Sequence, residues 1–170
     1  MKQKRLRLIV FSAMFCALVF AATMIAVPAG IGNVNLGDGV LLLCAWMLGG
    51  PWAAVAAAAG AALADLALAY TVYAPGTFVI KALMVVAVLL IVKFAPKLHM
   101  SARVARIVSA VCAELVMVGG YFAYEALILQ YGIAAAASIP FNAVQGAFGI
   151  VLSLVVYEVL ARAGIKVNQD

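Results

Sequence analysis

Charge is scarce in this chain: 10% of its 170 residues are charged, against 69% that are hydrophobic. A soluble domain is about a quarter charged and about half apolar, so that scarcity excludes an ordinary water-soluble fold. Histidine is all but missing. His99 stands alone in a basic stretch, and no HExxH pattern accompanies it, which removes the usual basis for a zinc site or a histidine base. The three cysteines, Cys16, Cys44 and Cys112, fall in apolar runs without CxxC spacing and read as packing residues. A Gly-rich loop ending in GK[ST] is absent, so this chain cannot itself hydrolyse ATP. GxSxG is absent too, and Ser12, Ser109 and Ser153 have no evident base, which leaves an intramembrane enzyme without machinery. Period-two alternation, the mark of a membrane β-barrel, is also missing. Nothing calls for a cofactor or a metal.

What is present is apolar length. Six stretches, about 8–27, 36–50, 52–72, 77–95, 104–130 and 138–162, approach the roughly 20 residues that cross a bilayer. The expected fold is an all-α integral membrane protein, one six-helix transmembrane bundle over residues 1–170. The second stretch is short and borrows from the loop before it. The N-terminal "MKQKRLRLIVFSAMFCALVF" could open a signal peptide, but its apolar run continues to Val27, long enough to span, and a retained first helix is expected.

The basic residues then orient the bundle. Lys2, Lys4, Arg5 and Arg7 precede helix 1, Lys93, Lys97, Arg103 and Arg106 flank the helix 4–5 connection, and Arg162 and Lys166 follow helix 6. With six spans all of these share one side, which the positive-inside rule makes cytoplasmic. Both termini are expected in the cytoplasm of a multi-pass plasma-membrane protein, with loops 28–38, 71–76 and 131–137 outside. The net charge of +5 reflects this topology, not an affinity for nucleic acid.

Lys81 alone breaks the rule. An ammonium inside a spanning helix costs roughly 2.5–3.5 kcal/mol on insertion scales. At 1.5 Å per residue, Lys81, Asp65, Glu125, Asn142 and Gln145 all fall a short way below the outer ends of their helices, and Asn35 and Asp38 lie in the outer loop. Thr77 and Lys81, like Tyr121 and Glu125, are i,i+4 pairs on one face, and Asn142 and Gln145 are i,i+3 neighbours. Polar stripes of this kind face the bundle interior or a wet cavity. Lys81 is therefore expected to line an outward-facing cavity and to meet a carboxylate or a polar or anionic ligand group. The plainer alternative is a structural ion pair with Asp65 or Glu125.

Other segments support this picture. "VPAGIGNVNLGDGV" holds turn-forming residues enough to fold over a cavity mouth. Tyr70 and Tyr73 stand at the outer interface, where Tyr73 either stacks on a ligand or joins an aromatic belt. "AAVAAAAGAALA" makes helix 3 thin enough for close helix packing. Ala13, Ala17 and Ala21 repeat every four residues on helix 1, suiting either bundle packing or a partner helix.

The ordered set NLGD (35–38), GP (50–51), Asp65, Thr77 with Lys81, YFAYE ending at Glu125, and Pro140 with Asn142 and Gln145 resembles the substrate-binding S components of energy-coupling factor (ECF) vitamin transporters. The nearest branch is the riboflavin type, which also holds candidates for pyridoxine and hydroxymethylpyrimidine. The resemblance implies a vitamin pocket near the extracellular face, formed by Asn35, Asp38, Lys81, Glu125, Asn142 and Gln145, with Asp65 as a further acid in either a structural or a binding role. It further implies a membrane coupling subunit, docked on Ala13, Ala17 and Ala21, and two cytoplasmic ATPases that supply the energy. Tyr73 and Tyr121 complete the expected site. With Trp46 and Trp52 both near the cytoplasmic end, the smaller rings suit the pocket better than a tryptophan-caged ligand. A stand-alone ion-coupled transporter, using Asp65, Lys81 and Glu125 as a relay, is the alternative from a different class.

Overall fold

A computed structural model describes residues 2–29 and 32–165; Lys166, the last member of the basic clusters, lies outside them. Six α-helices form the bundle: α1 (Lys2–Met24), α2 (Gly37–Met47), α3 (Gly50–Ala67), α4 (Ala74–Phe94), α5 (Ala102–Ala123) and α6 (Ile139–Arg162). Between α1 and α2 the chain forms an antiparallel hairpin of β1 (Ala26–Ala29) and β2 (Gly32–Asn35), with Ala26 opposite Asn35 and Pro28 opposite Asn33. This hairpin stands where the turn-forming residues predict a loop.

Five of the six helical regions are, by length and composition, long and apolar enough to cross a membrane. The exception is α2. Its 11 residues cover about 16 Å at helical rise, roughly half a hydrocarbon core. Its apolarity has another cause: α2 is wrapped by neighbours, and Leu41, Leu42 and Cys44 are fully buried. Gly49 and Gly50 then adopt positive φ (66° and 62°), which turns the chain sharply into α3. Pro51 opens that helix where a missing N–H costs nothing.

Other boundaries moved for local reasons. The polar start of α1 is helical from Lys2, because Lys, Gln and Arg are good helix formers. α1 ends at Met24 instead of continuing to Val27, since the chain enters the hairpin there. α3 stops at Ala67, five residues short of expectation, where Leu68 caps it and Ala69 takes a left-handed conformation (φ 63°). α5 ends at Ala123 and passes into a π turn, Tyr124–Ile128, and a 3-10 segment, Gly132–Ser138, leads into α6.

α3 packs between α1 and α4, α4 also packs on α5, and α2 lies against α1, α4 and α6. The alanine-rich face of α3 makes the first of these crossings close. A Cβ placed on Gly60 would stand 2.4 Å from the backbone carbonyl oxygen of Cys16 on α1. Gly60→Val should therefore separate the two helices and lower the melting temperature of the detergent-solubilised protein, at an overpacking cost of about 1–3 kcal/mol or more. An unchanged melting curve would contradict this contact. Around the outside, residues such as Leu115, Leu127, Phe148 and Val151 are exposed and apolar, a surface made for lipid. On α1, Phe15 and Val19 are buried against the bundle, whereas Ala13, Ala17 and Ala21 are exposed. The alanine stripe is thus not part of the bundle's interior packing.

Candidate functional site

A cavity of about 40 Å³ lies at the hairpin end of the bundle. Of the nine residues expected to bind substrate, eight line it: Asn35, Asp65, Tyr73, Lys81, Tyr121, Glu125, Asn142 and Gln145. They arrive from β2, α3, the α3–α4 turn, α4, α5, the π turn and α6, so distant segments do converge at one depth. Asp38 is the exception, standing behind the wall.

Asp38 is not a loop residue. It sits in the first turn of α2, fully buried, where the positive end of the helix favours an acid. The adjoining Gly37 lies close against α1, and a Cβ there would come within 2.2 Å of Thr23 Oγ1. Asp38 Oδ1 accepts a hydrogen bond from Lys81 Nζ in a buried ion pair, and Asp38 Oδ2 accepts from Gln145 Nε2 at 2.6 Å. Lys81 also lies over the ring of Tyr121, 5.4 Å from its centroid. The expected partners of Lys81, Asp65 or Glu125, are both replaced by Asp38, which the first turn of α2 carries into the bundle interior.

The ion pair is tied to the hairpin. Gln145 Oε1 accepts from the backbone N–H of Asn35 at 2.9 Å, Asn35 Oδ1 accepts from the N–H of Gly37 at 2.9 Å, and Asn35 Nδ2 donates to Asn33 Oδ1 at 3.0 Å. A continuous polar chain therefore runs from β2 through α6 and α2 to the ammonium of α4.

Glu125 is held separately. The π turn, a form frequent at functional sites, carries it into the cavity wall. Glu125 Oε2 accepts from Ser138 Oγ at 2.5 Å, and Oε1 accepts a longer bond from the Tyr73 hydroxyl at 3.4 Å. Burial first, then the charge of Glu125, push the Tyr73 phenol above its ordinary value, so it stays a neutral donor. Thr77 Oγ1 and the Tyr121 hydroxyl are bonded at 2.9 Å, and the rings of Tyr70 and Tyr73 meet edge to face at 6.1 Å. Thr77, Tyr70 and Asn33 line the cavity as well.

Two contributors were missed in the sequence. Thr23 closes an apolar run as its only hydroxyl near the outer end, and Ser138 hides in an alanine stretch; a lone small polar residue gave no pattern to read. Two further acids do not line this cavity. Glu114 is buried against Gly146 and Gly149 of α6, and among the described residues neither of its oxygens has a hydrogen-bond partner. Glu158 pairs with Arg103 at 2.5 Å on the exposed opposite end.

This arrangement offers donors, acceptors and aromatic faces around one space. The sequence model of the ECF-type riboflavin transporter S component covers residues 3–162. The chain belongs to that family. It is accordingly a multi-pass membrane subunit that binds a vitamin substrate for import, and a transport component rather than an enzyme. Among solved structures, one described as "Structure and mechanism of the S component of a bacterial ECF transporter" is similar in fold, with a TM-score of 0.72 at 23% identity, over 95% of this chain and 98% of that one. No curated protein matches the chain in sequence. Membership replaces the stand-alone ion-coupled transporter considered above.

Proposed function

We propose that this S component captures a small heteroaromatic vitamin or vitamin precursor, of the pyridoxine, hydroxymethylpyrimidine or riboflavin class, in the hairpin-end cavity. The observation that carries the reading is the gathering of eight costly polar side chains from separate segments around one space, in a chain of which only 10% is charged. Tyr70 and Tyr73 offer ring faces, and the amides and carboxyls offer hydrogen bonds to ring substituents. The size of the cavity favours the smaller rings. Its 40 Å³ compares with roughly 10–15 Å³ for one water on the same measure, so any vitamin must displace the hairpin or the tyrosines, and a tricyclic ligand must displace them furthest.

In this reading the hairpin end faces outward and the basic end faces the cytoplasm, as the Lys and Arg distribution requires. The ligand is passed inward by association with a membrane coupling subunit driven by two cytoplasmic ATPases. The exposed Ala13, Ala17 and Ala21 are the docking stripe for the coupling subunit, since small residues let a partner helix approach closely. Ala17→Trp should abolish co-purification with the coupling subunit while leaving ligand affinity within about twofold; loss of ligand binding with docking intact would refute this assignment. The reading as a whole is tested by mass spectrometry of small molecules that co-purify with the protein, followed by calorimetric titration and by uptake into liposomes with and without coupling subunit, ATPases and ATP. Uptake by the purified chain alone would count against it.

A further inference from the structure

Most polar groups around the cavity are satisfied within the protein. Gln145 is bonded through both its oxygen and its nitrogen, Thr77 is bonded to Tyr121, and Glu125 to Ser138 and Tyr73. Three buried atoms are not: Thr23 Oγ1, Asp65 Oδ2 and Asn142 Nδ2 find no hydrogen-bond partner among the described residues. They belong to three different helices, and all three residues line the cavity. Thr23 and Asp65 are only 3% and 7% exposed. Buried polar groups without partners cost free energy and are rare in folded proteins, so three around one space form a pattern that a ligand must complete.

Charge adds a second constraint. Among the described residues Lys81 is the only cation on the cavity wall, and its charge is matched by Asp38 behind that wall. Two carboxyl groups, Asp65 and Glu125, then face the space with no basic residue bonded to either. A phosphate or carboxylate placed there would meet two acids and a lysine already engaged.

Accepting the hairpin-end cavity as the vitamin site, we propose that Thr23, Asp65 and Asn142 read a ligand that carries no negative charge and presents both a hydrogen-bond donor and an acceptor. Asp65 Oδ2 accepts from a ligand N–H or O–H, Asn142 Nδ2 donates to a ring nitrogen or carbonyl, and the Thr23 hydroxyl meets either kind of group. The chemical class is an unphosphorylated heteroaromatic with an amide-like or amidine-like edge. Thr23 is the new recognition residue in this set.

The test uses Thr23→Val and Asn142→Leu, which replace each unsatisfied group by an apolar one of similar size. In protein stripped of ligand by detergent exchange, both variants should melt at or above the wild-type temperature, because an unpaired group has been removed. Calorimetry with pyridoxine, 4-amino-5-hydroxymethyl-2-methylpyrimidine and riboflavin should show that whichever binds the wild type binds each variant at least about tenfold more weakly. The phosphate monoester of that compound should bind the wild type at least about a hundredfold more weakly than the free alcohol. Variants that melt several degrees lower and keep full affinity would make these groups structural and overturn the proposal, as would a phosphate ester that binds as well as the alcohol. If none of the three alcohols binds, the small-ring reading fails, and the co-purifying molecule decides the inference: a neutral or cationic compound with an N–H or O–H donor sustains it, and a phosphorylated or carboxylated one overturns it.

Discussion

Lys81→Met and Asp38→Leu should each cripple the protein alone, and together they should restore most of its stability but not its binding. Both side chains are almost fully buried, 5% and 1% exposed, and they form an ion pair. Removing one partner strands a charge in a low-dielectric interior, which costs about 3–5 kcal/mol. Removing both leaves an apolar contact of similar volume, and such replacements are often neutral or stabilising. The double variant should therefore melt well above either single variant, short of the wild type only by the lost Gln145–Asp38 bond. Binding should not follow the same course. Lys81 lines the cavity wall and lies over Tyr121, so ligand affinity should stay lost in the double variant. Thermal melts and calorimetry on the four proteins settle the matter. A Lys81→Met protein with unaltered stability would mean that the ion pair is not formed in the membrane, and full affinity in the double variant would remove Lys81 from the site.

The contrast between Asp38 and Lys81 also shows what could be read from the sequence. Lys81 was legible because its cost is so high in a spanning helix that only an interior, polar destination explains it. Asp65, Glu125, Asn142 and Gln145 were legible for the same reason, with depth along each helix as the ruler. Partnership was not legible. Depth says how far a residue lies from the membrane surface but not which way round the bundle it points. Lys81 is expected against Asp65 or Glu125, while its partner in the structure is Asp38, in the first turn of α2. The shortness of α2 was hidden by the same physics that made the other helices visible. Residues buried by protein and residues facing lipid are both apolar, and a hydropathy window cannot separate them. The hairpin escaped because strands of four residues, one holding Pro28 and both lying beside glycines, carry too little periodicity to stand out from a turn.

Gln145 is where the hairpin and the ion pair meet, and its replacement should be felt at both. Its Oε1 accepts from the backbone of Asn35 in β2, and its Nε2 donates to Asp38 Oδ2 in α2, so one side chain on α6 bridges the two elements. Gln145→Leu keeps the volume and removes both bonds. Asn35 then loses the acceptor that anchors its end of the strand, and Asp38 is left with Lys81 alone. Each lost bond to a buried group costs about 1–3 kcal/mol, so the stability loss should be clear but smaller than that of breaking the ion pair. The functional consequence is kinetic. A two-stranded hairpin is marginal by itself and depends on what it packs against, so β1 and β2 should open more often once the anchor is gone. Ligand should then dissociate faster, by about ten- to a hundredfold, with a smaller change in the association rate. Hydrogen exchange should rise at Asn33–Asn35 and stay unchanged in the α3–α4 core. Stopped-flow dissociation and exchange mass spectrometry on the same variant test both halves. If release slows or stays as it was while exchange at the hairpin rises, the strand covers nothing that matters to the ligand. If neither changes, Gln145 is not the link between them.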